Sequence, residues 1–173
     1  MSEPIQDPYV ALARSAIEHF IRAGVRITPD ASLPESMNRP AAAFVSLKTP
    51  DSLRGCIGTL EPTRNTVAEE IIDNAIRSAT RDPRFPPVRA DELSSITVSV
   101  DVLSAPEPCT KEELDPRHYG VIVSSTGRRG VLLPDLEGVH RTEDQIEIAR
   151  RKAGIPEGTP LTLHRFTVTR HAQ

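Results

Sequence analysis

The 173-residue sequence predicts an α+β fold: an antiparallel sheet with hairpins and about three main helices. Three observations carry this. Apolar residues recur at helical spacing in separate segments. Two pairs of strand-like runs are joined by short turns, which requires antiparallel pairing. Sixteen prolines spread along the chain favour short elements over long regular ones.

Asp7-Pro8 opens the first helix, because Asp accepts from the free N–H groups of a helix start and Pro suits the first helical position. Val10, Ala13, Ile17, Phe20 and Ile21 follow at helical spacing, and Gly24 is the stop. Val25 to Pro40 reads as a loop. Ala43–Leu47 and Leu53–Leu60 read as a hairpin around Thr49-Pro50-Asp51-Ser52. Thr66 and Glu69 form a capping box for a second helix carrying Val67, Ile71, Ile72, Ala75, Ile76 and Ala79. Asp82-Pro83 ends it. Ile96, Val98, Val100 and Val102 alternate with polar residues, the pattern of a half-buried strand. Thr110 to Leu114 reads as one helical turn. Tyr119–Ser124 and Arg129–Leu133 form a second hairpin around Thr126-Gly127. Thr142 and Gln145 read as another capping box, for a helix running to Ala153 with Gly154 as its stop. Leu161–Thr169 closes the chain as a single strand.

Composition narrows the function classes. Hydrophobic residues make up 38% and charged residues 26%, ordinary values for a globular protein. The length fits a single domain spanning residues 1–173. No apolar run reaches the length of a membrane span. The opening MSEPIQDPYV lacks a basic and apolar leader, so the expected location is the cytoplasm. A net charge of −3 and 3% aromatics argue against nucleic-acid binding. Cys56 and Cys109 lie far apart, and the histidines lack metal-ligand spacing. No metal site and no cofactor is expected.

Arginine outnumbers lysine 18 to 3. Genomic base composition can produce that bias, but Arg is also the better side chain for bidentate binding of carboxylate or phosphate. Two segments offer chemistry. In Leu53-Arg54-Gly55-Cys56-Ile57-Gly58-Thr59-Leu60, strand alternation puts Arg54, Cys56 and Gly58 on one face. A thiol beside a guanidinium gains thiolate character, and bare backbone at Gly55 and Gly58 invites close approach. Cys56 can equally be a small packed hydrophobe. In Arg81-Asp82-Pro83-Arg84-Phe85-Pro86-Pro87, the arginines either make a stiff anion-binding loop or complement a helix C-terminus. Ser124 to Gly130 carries Arg128 in what reads as an exposed hairpin turn.

These segments resemble the AMMECR domain family. The resemblance rests on Phe44-Val45-Ser46-Leu47, the Leu-Arg-Gly-Cys-Ile-Gly-Thr string ending at Thr59, and Arg81 to Val88. Tyr119 to Val123, Gly127 to Pro134, Arg150 to Ile155 and Arg165 to Val168 extend it over about residues 7 to 169. Leu133 to Val139 and Gln145 to Arg150 resemble most the prokaryotic branch called AmmeMemoRadiSam system protein A. The chain departs from the family at His140 and in lacking Trp. The resemblance implies two lobes, one larger, sharing one core around a cleft. It also implies partnership with a Memo-type protein and a radical S-adenosylmethionine protein.

Taken together, these readings give a cytosolic protein of that system with an arginine-rich cleft around Cys56, open to a small anionic ligand. Cys56 is the candidate nucleophile or attachment point. Arg54, Gly55, Gly58, Thr59, Arg81, Arg84 and Arg128 are candidate binding residues. Whether the protein is an enzyme is left open by the motifs. The alternatives are a non-catalytic interaction adaptor, a cysteine-dependent hydrolase or transferase, and a nucleic-acid binder.

Overall fold

The structure is a computed structural model describing residues 6–173, so the leader-free reading of the N-terminus rests partly on residues outside the described ones. Asp7 caps helix α1 (Pro8–Ala23) by accepting from the N–H groups of Tyr9 and Val10, and Gly24 ends it in the left-handed conformation. Strands β1 (Ala43–Lys48) and β2 (Leu53–Gly58) form the expected hairpin, with Ser46 opposite Cys56. Thr66 caps helix α2 (Val67–Thr80) by accepting the Glu69 N–H. Strand β3 (Thr97–Leu103) buries Val98, Val100 and Val102, as their alternation requires.

Further along are a two-residue strand β4 (Glu107–Pro108) and a hairpin of β5 (Gly120–Ser125) with β6 (Arg128–Leu132). Thr126 and Gly127 both turn through positive φ, which matches the twist of the flanking strands. Helix α3 (Thr142–Lys152) and strands β7 (Thr162–Phe166) and β8 (Val168–Ala172) complete the chain.

Two compact units result. One runs through Val102 and takes in Thr169–Gln173; the other is Leu103–Val168. In the first, α1 and α2 pack together and α2 lies on a sheet ordered β2-β1-β3-β8. Its core includes Val10, Ile17, Val45, Leu47, Ile71, Ile72 and Val100. In the second, α3 lies on β5 and β6 of a sheet ordered β4-β7-β5-β6. Its core includes Val121, Val123, Ala149 and Ile155. Hairpins and antiparallel register make the molecule α+β.

Three readings of the sequence need correction. Leu161–Thr169 is not one strand: the chain breaks at Thr167, and the halves join different sheets. No turn residue interrupts that run, so pattern alone reads it as continuous. The strand β4 carries a proline and is too short to leave a periodic signal. Thr142 and Gln145 do not form a capping box; Arg141 occupies the cap position, and no side chain caps the helix there. Gln145 is instead fully buried, and its amide donates to the Tyr119 carbonyl at 2.8 Å.

Candidate functional site

Helix α2 sets the geometry around Cys56. Its apolar face meets the core, but one stripe of that inner surface is polar. Glu70, Asn74 and Ser78 recur every four residues, and Asp82 continues the interval just past the helix end. All four are buried, at 1%, 1%, 2% and 4% exposure. Each binds the Cys56 segment or the strand beside it, since a buried polar group without a partner is costly.

Glu70 accepts from the Thr59 hydroxyl at 2.7 Å, from the Thr63 hydroxyl and N–H at 2.8 Å, and from the Arg64 N–H at 2.9 Å. The Asn74 amide donates to the Ala43 carbonyl at 2.9 Å. Ser78 donates to the Val45 carbonyl at 2.7 Å and accepts the Ile57 N–H at 2.9 Å. Val45 and Ile57 are cross-strand partners, so this hydroxyl is inserted between them. Asp82 accepts the Cys56 N–H at 2.9 Å.

Asp82 also takes the Arg84 guanidinium, at 3.0 Å from Nε and 2.8 Å from Nη2, and the Arg84 N–H at 3.0 Å. The Arg84 guanidinium holds the Asp82 carboxyl well below the usual carboxylate range, against the opposing push of burial. Arg84 Nη2 also lies 3.4 Å from the Cys56 carbonyl oxygen. Strand β2 is at the edge of its sheet. The Asp82–Arg84 pair therefore covers Cys56 much as a neighbouring strand would.

The remaining site residues fall into place around this frame. Arg54 is bound in a fork by Glu92, at 2.9 and 3.2 Å, which also holds the Glu92 carboxyl below its ordinary range. Phe85 is half-buried, and both guanidiniums lie near its ring, Arg54 at 6.0 Å and Arg84 at 5.4 Å from its centroid. The Cys56 thiol is half-buried and accepts from the Ser46 hydroxyl at 3.2 Å. A Cβ on Gly55 would sit 2.3 Å from the Ser78 carbonyl oxygen, so only glycine lets α2 approach β2 this closely. A Cβ on Gly58 would meet the Phe44 ring at 2.1 Å.

The structure gathers Arg54, Cys56 and Arg84 around Asp82 and Phe85 in the first unit, whereas Thr59 bonds Glu70 in the first turn of α2. Arg81 is exposed at the end of α2, and its side chain makes no hydrogen bond or ion pair among the described residues. Arg128 belongs to the second unit and donates to the Gly154 carbonyl there. Cys109, also in that unit, is half-buried, and burial pushes its thiol upward. Among the described residues, no three His, Cys, Asp or Glu side chains group as a metal site requires. No helix there is long and apolar enough to cross a membrane.

The AMMECR1 family model matches residues 10–171. The chain belongs to the AMMECR1 family. A protein of Thermotoga maritima is 55% identical over 170 residues, covering 96% of this chain and 98% of its own. A Clostridium acetobutylicum protein is 48% identical over 97% of this chain, but the chain spans only 36% of that longer protein. A crystal structure of an uncharacterized protein from Pyrococcus horikoshii superposes with a TM-score of 0.82 at 31% identity, covering 94% of this chain and 88% of that one.

The string Leu53–Thr59 is thus held chiefly by residues outside it. Reading the string alone passes over Glu70, Asn74, Ser78 and Glu92. The signal was present for three of them: polar residues at four-residue intervals beside the apolar stripe of α2. Glu92 left no local signal, because it lies 38 residues from Arg54 in sequence.

Proposed function

We propose that this AMMECR1 protein is a binding component of a cytoplasmic system containing a Memo-type protein and a radical S-adenosylmethionine protein, within the AmmeMemoRadiSam protein A branch. Its recognition surface is the sheet face carrying Ser46 and Cys56, and Arg81 supplies a cation for an anionic group on the partner. One observation carries this reading: the charges nearest Cys56 are already paired within the chain, Arg54 with Glu92 and Arg84 with Asp82. The thiol's hydrogen-bond partner is a serine hydroxyl, not a base that would activate it. Such an arrangement gives a stiff, pre-formed surface. The Clostridium relative adds support, because the part this chain matches is joined to further sequence.

The test is co-elution of the purified chain with the Memo-type and radical S-adenosylmethionine proteins of its own genome. Stable co-elution with either is expected; separate elution of all three at micromolar concentration would sink the reading.

A covalent role for Cys56 is the second reading, favoured by a thiol that is only half-buried. Intact-mass analysis of a Cys109→Ser variant treated with iodoacetamide decides it. A folded protein that takes up no adduct ends this reading.

A further inference from the structure

The first unit contains a cavity of about 630 Å³ between the loop that follows α1 and the start of α2. Its floor is apolar, built from the buried Met37 and Ala68 with Leu33 beside them. Its walls and rim carry three carboxylates, Asp30, Glu35 and Glu69, and no Lys, Arg or His lines it.

This charge pattern differs from that of the unit's ion pairs. Several carboxylates elsewhere in the unit pair with arginines: Asp73 with Arg26 and Arg64, Asp82 with Arg84, Glu92 with Arg54, and Asp101 with Arg170. Asp30, Glu35 and Glu69 have no cationic partner among the described residues. Asp30 is kept ionised by the Ser32 N–H, which donates to it at 2.7 Å and lowers its carboxyl. The N-terminus of α2, which would otherwise favour an anion, is satisfied by the Thr66 cap and by Glu69 and Glu70 in its first turn.

We infer that this cavity is a docking groove for a partner segment that alternates basic and apolar side chains. Leu33, Met37 and Ala68 receive the apolar side chains, and the three carboxylates receive the basic ones. A peptide fits better than a small cation. Asp30 and Glu35 are exposed, so the groove is open along its rim, whereas small-ligand pockets enclose most of their ligand. An apolar floor also offers nothing to a bare cation. The inference stands apart from the role given to the Cys56 face.

The test titrates a fluorescent hexapeptide of alternating lysine and leucine into the full chain, read by anisotropy. Saturable binding with a Kd below ~1 mM is expected. Glu35→Gln with Glu69→Gln should weaken it at least about tenfold, as should Ala31→Arg, which puts a cation on the exposed rim. Thermal melts establish that these variants fold, and Glu35→Gln alone, on an exposed turn, serves if the double variant does not. No saturation by ~5 mM, or equal affinity for wild type and Glu35→Gln, would overturn the inference. Equal binding of a lysine–serine peptide, or displacement by spermidine at the same concentration as peptide, would overturn it by making the groove a bare-cation site.

Discussion

Asp82 takes four donors, one from Cys56 and three from Arg84, and this explains why an ion pair stands beside a thiol without serving it. Asp82→Asn should destabilise the fold by about 1–3 kcal/mol at neutral pH, the lower part of that range reflecting the half-exposed Arg84. The sign with pH follows from the lowered carboxyl. Its stabilisation is complete above the unfolded value near ~3.9 and is lost as pH falls further. Urea melts should therefore show the gap between wild type and Asp82→Asn narrowing from pH 7 to pH 3; an unchanged gap would contradict this. The two glycines of β2, Gly55 and Gly58, make separate predictions. Gly55→Ala meets a helix carbonyl that cannot move alone, and should cost about 1–3 kcal/mol by chemical denaturation. Gly58→Ala meets a side chain, so Phe44→Ala should rescue it but should not rescue Gly55→Ala.

At the scale of elements, α2 does two jobs with one face. Its apolar residues bury in the core, while Glu70, Asn74 and Ser78 hold β1, β2 and the chain that follows them. Ser78→Ala should cost about 1–2 kcal/mol and speed hydrogen exchange at the Ile57 amide more than at Val100 on β3. Equal exchange at both amides would show that the hydroxyl does not hold the hairpin. Much of this level was legible in advance. Asp7-Pro8, Thr66 and the alternation of β3 gave correct elements because their signals are local. The break at Thr167 was not legible, since it follows from which sheet each half joins. Gln145 misled because a cap and a buried hydrogen bond use the same residue type. At the site, the pairing of Arg54 with Glu92 depends on a fold that brings distant segments together, so the sequence offers no partner for Arg54.

At the scale of the whole molecule, the chain leaves the first unit at Val102 and returns to it at Thr169 to add the edge strand β8. That return is fixed by specific contacts. Arg170 forks onto the buried Asp101 at 2.8 and 2.9 Å. His171 stacks on Tyr9 with ring centroids 3.9 Å apart and bonds Asp7 at 2.7 Å. Arg170→Met should therefore leave Asp101 poorly compensated and lower the melting temperature by roughly 5 °C, from about 2 kcal/mol at a few degrees per kcal/mol. A shift under about 1 °C by calorimetry would show that the Arg170–Asp101 fork does not hold the returning strand. A first unit closed by a strand from the far end of the chain offers a rigid base for a recognition face.

The most direct test of that role is a calorimetric titration of the Memo-type protein and the radical S-adenosylmethionine protein into wild type, Cys56→Ser and Ser46→Arg. A recognition surface predicts binding by at least one partner that Cys56→Ser keeps and Ser46→Arg, which places a bulky charge on the face, abolishes. Binding that Ser46→Arg leaves intact, or no binding to wild type at all, would contradict it.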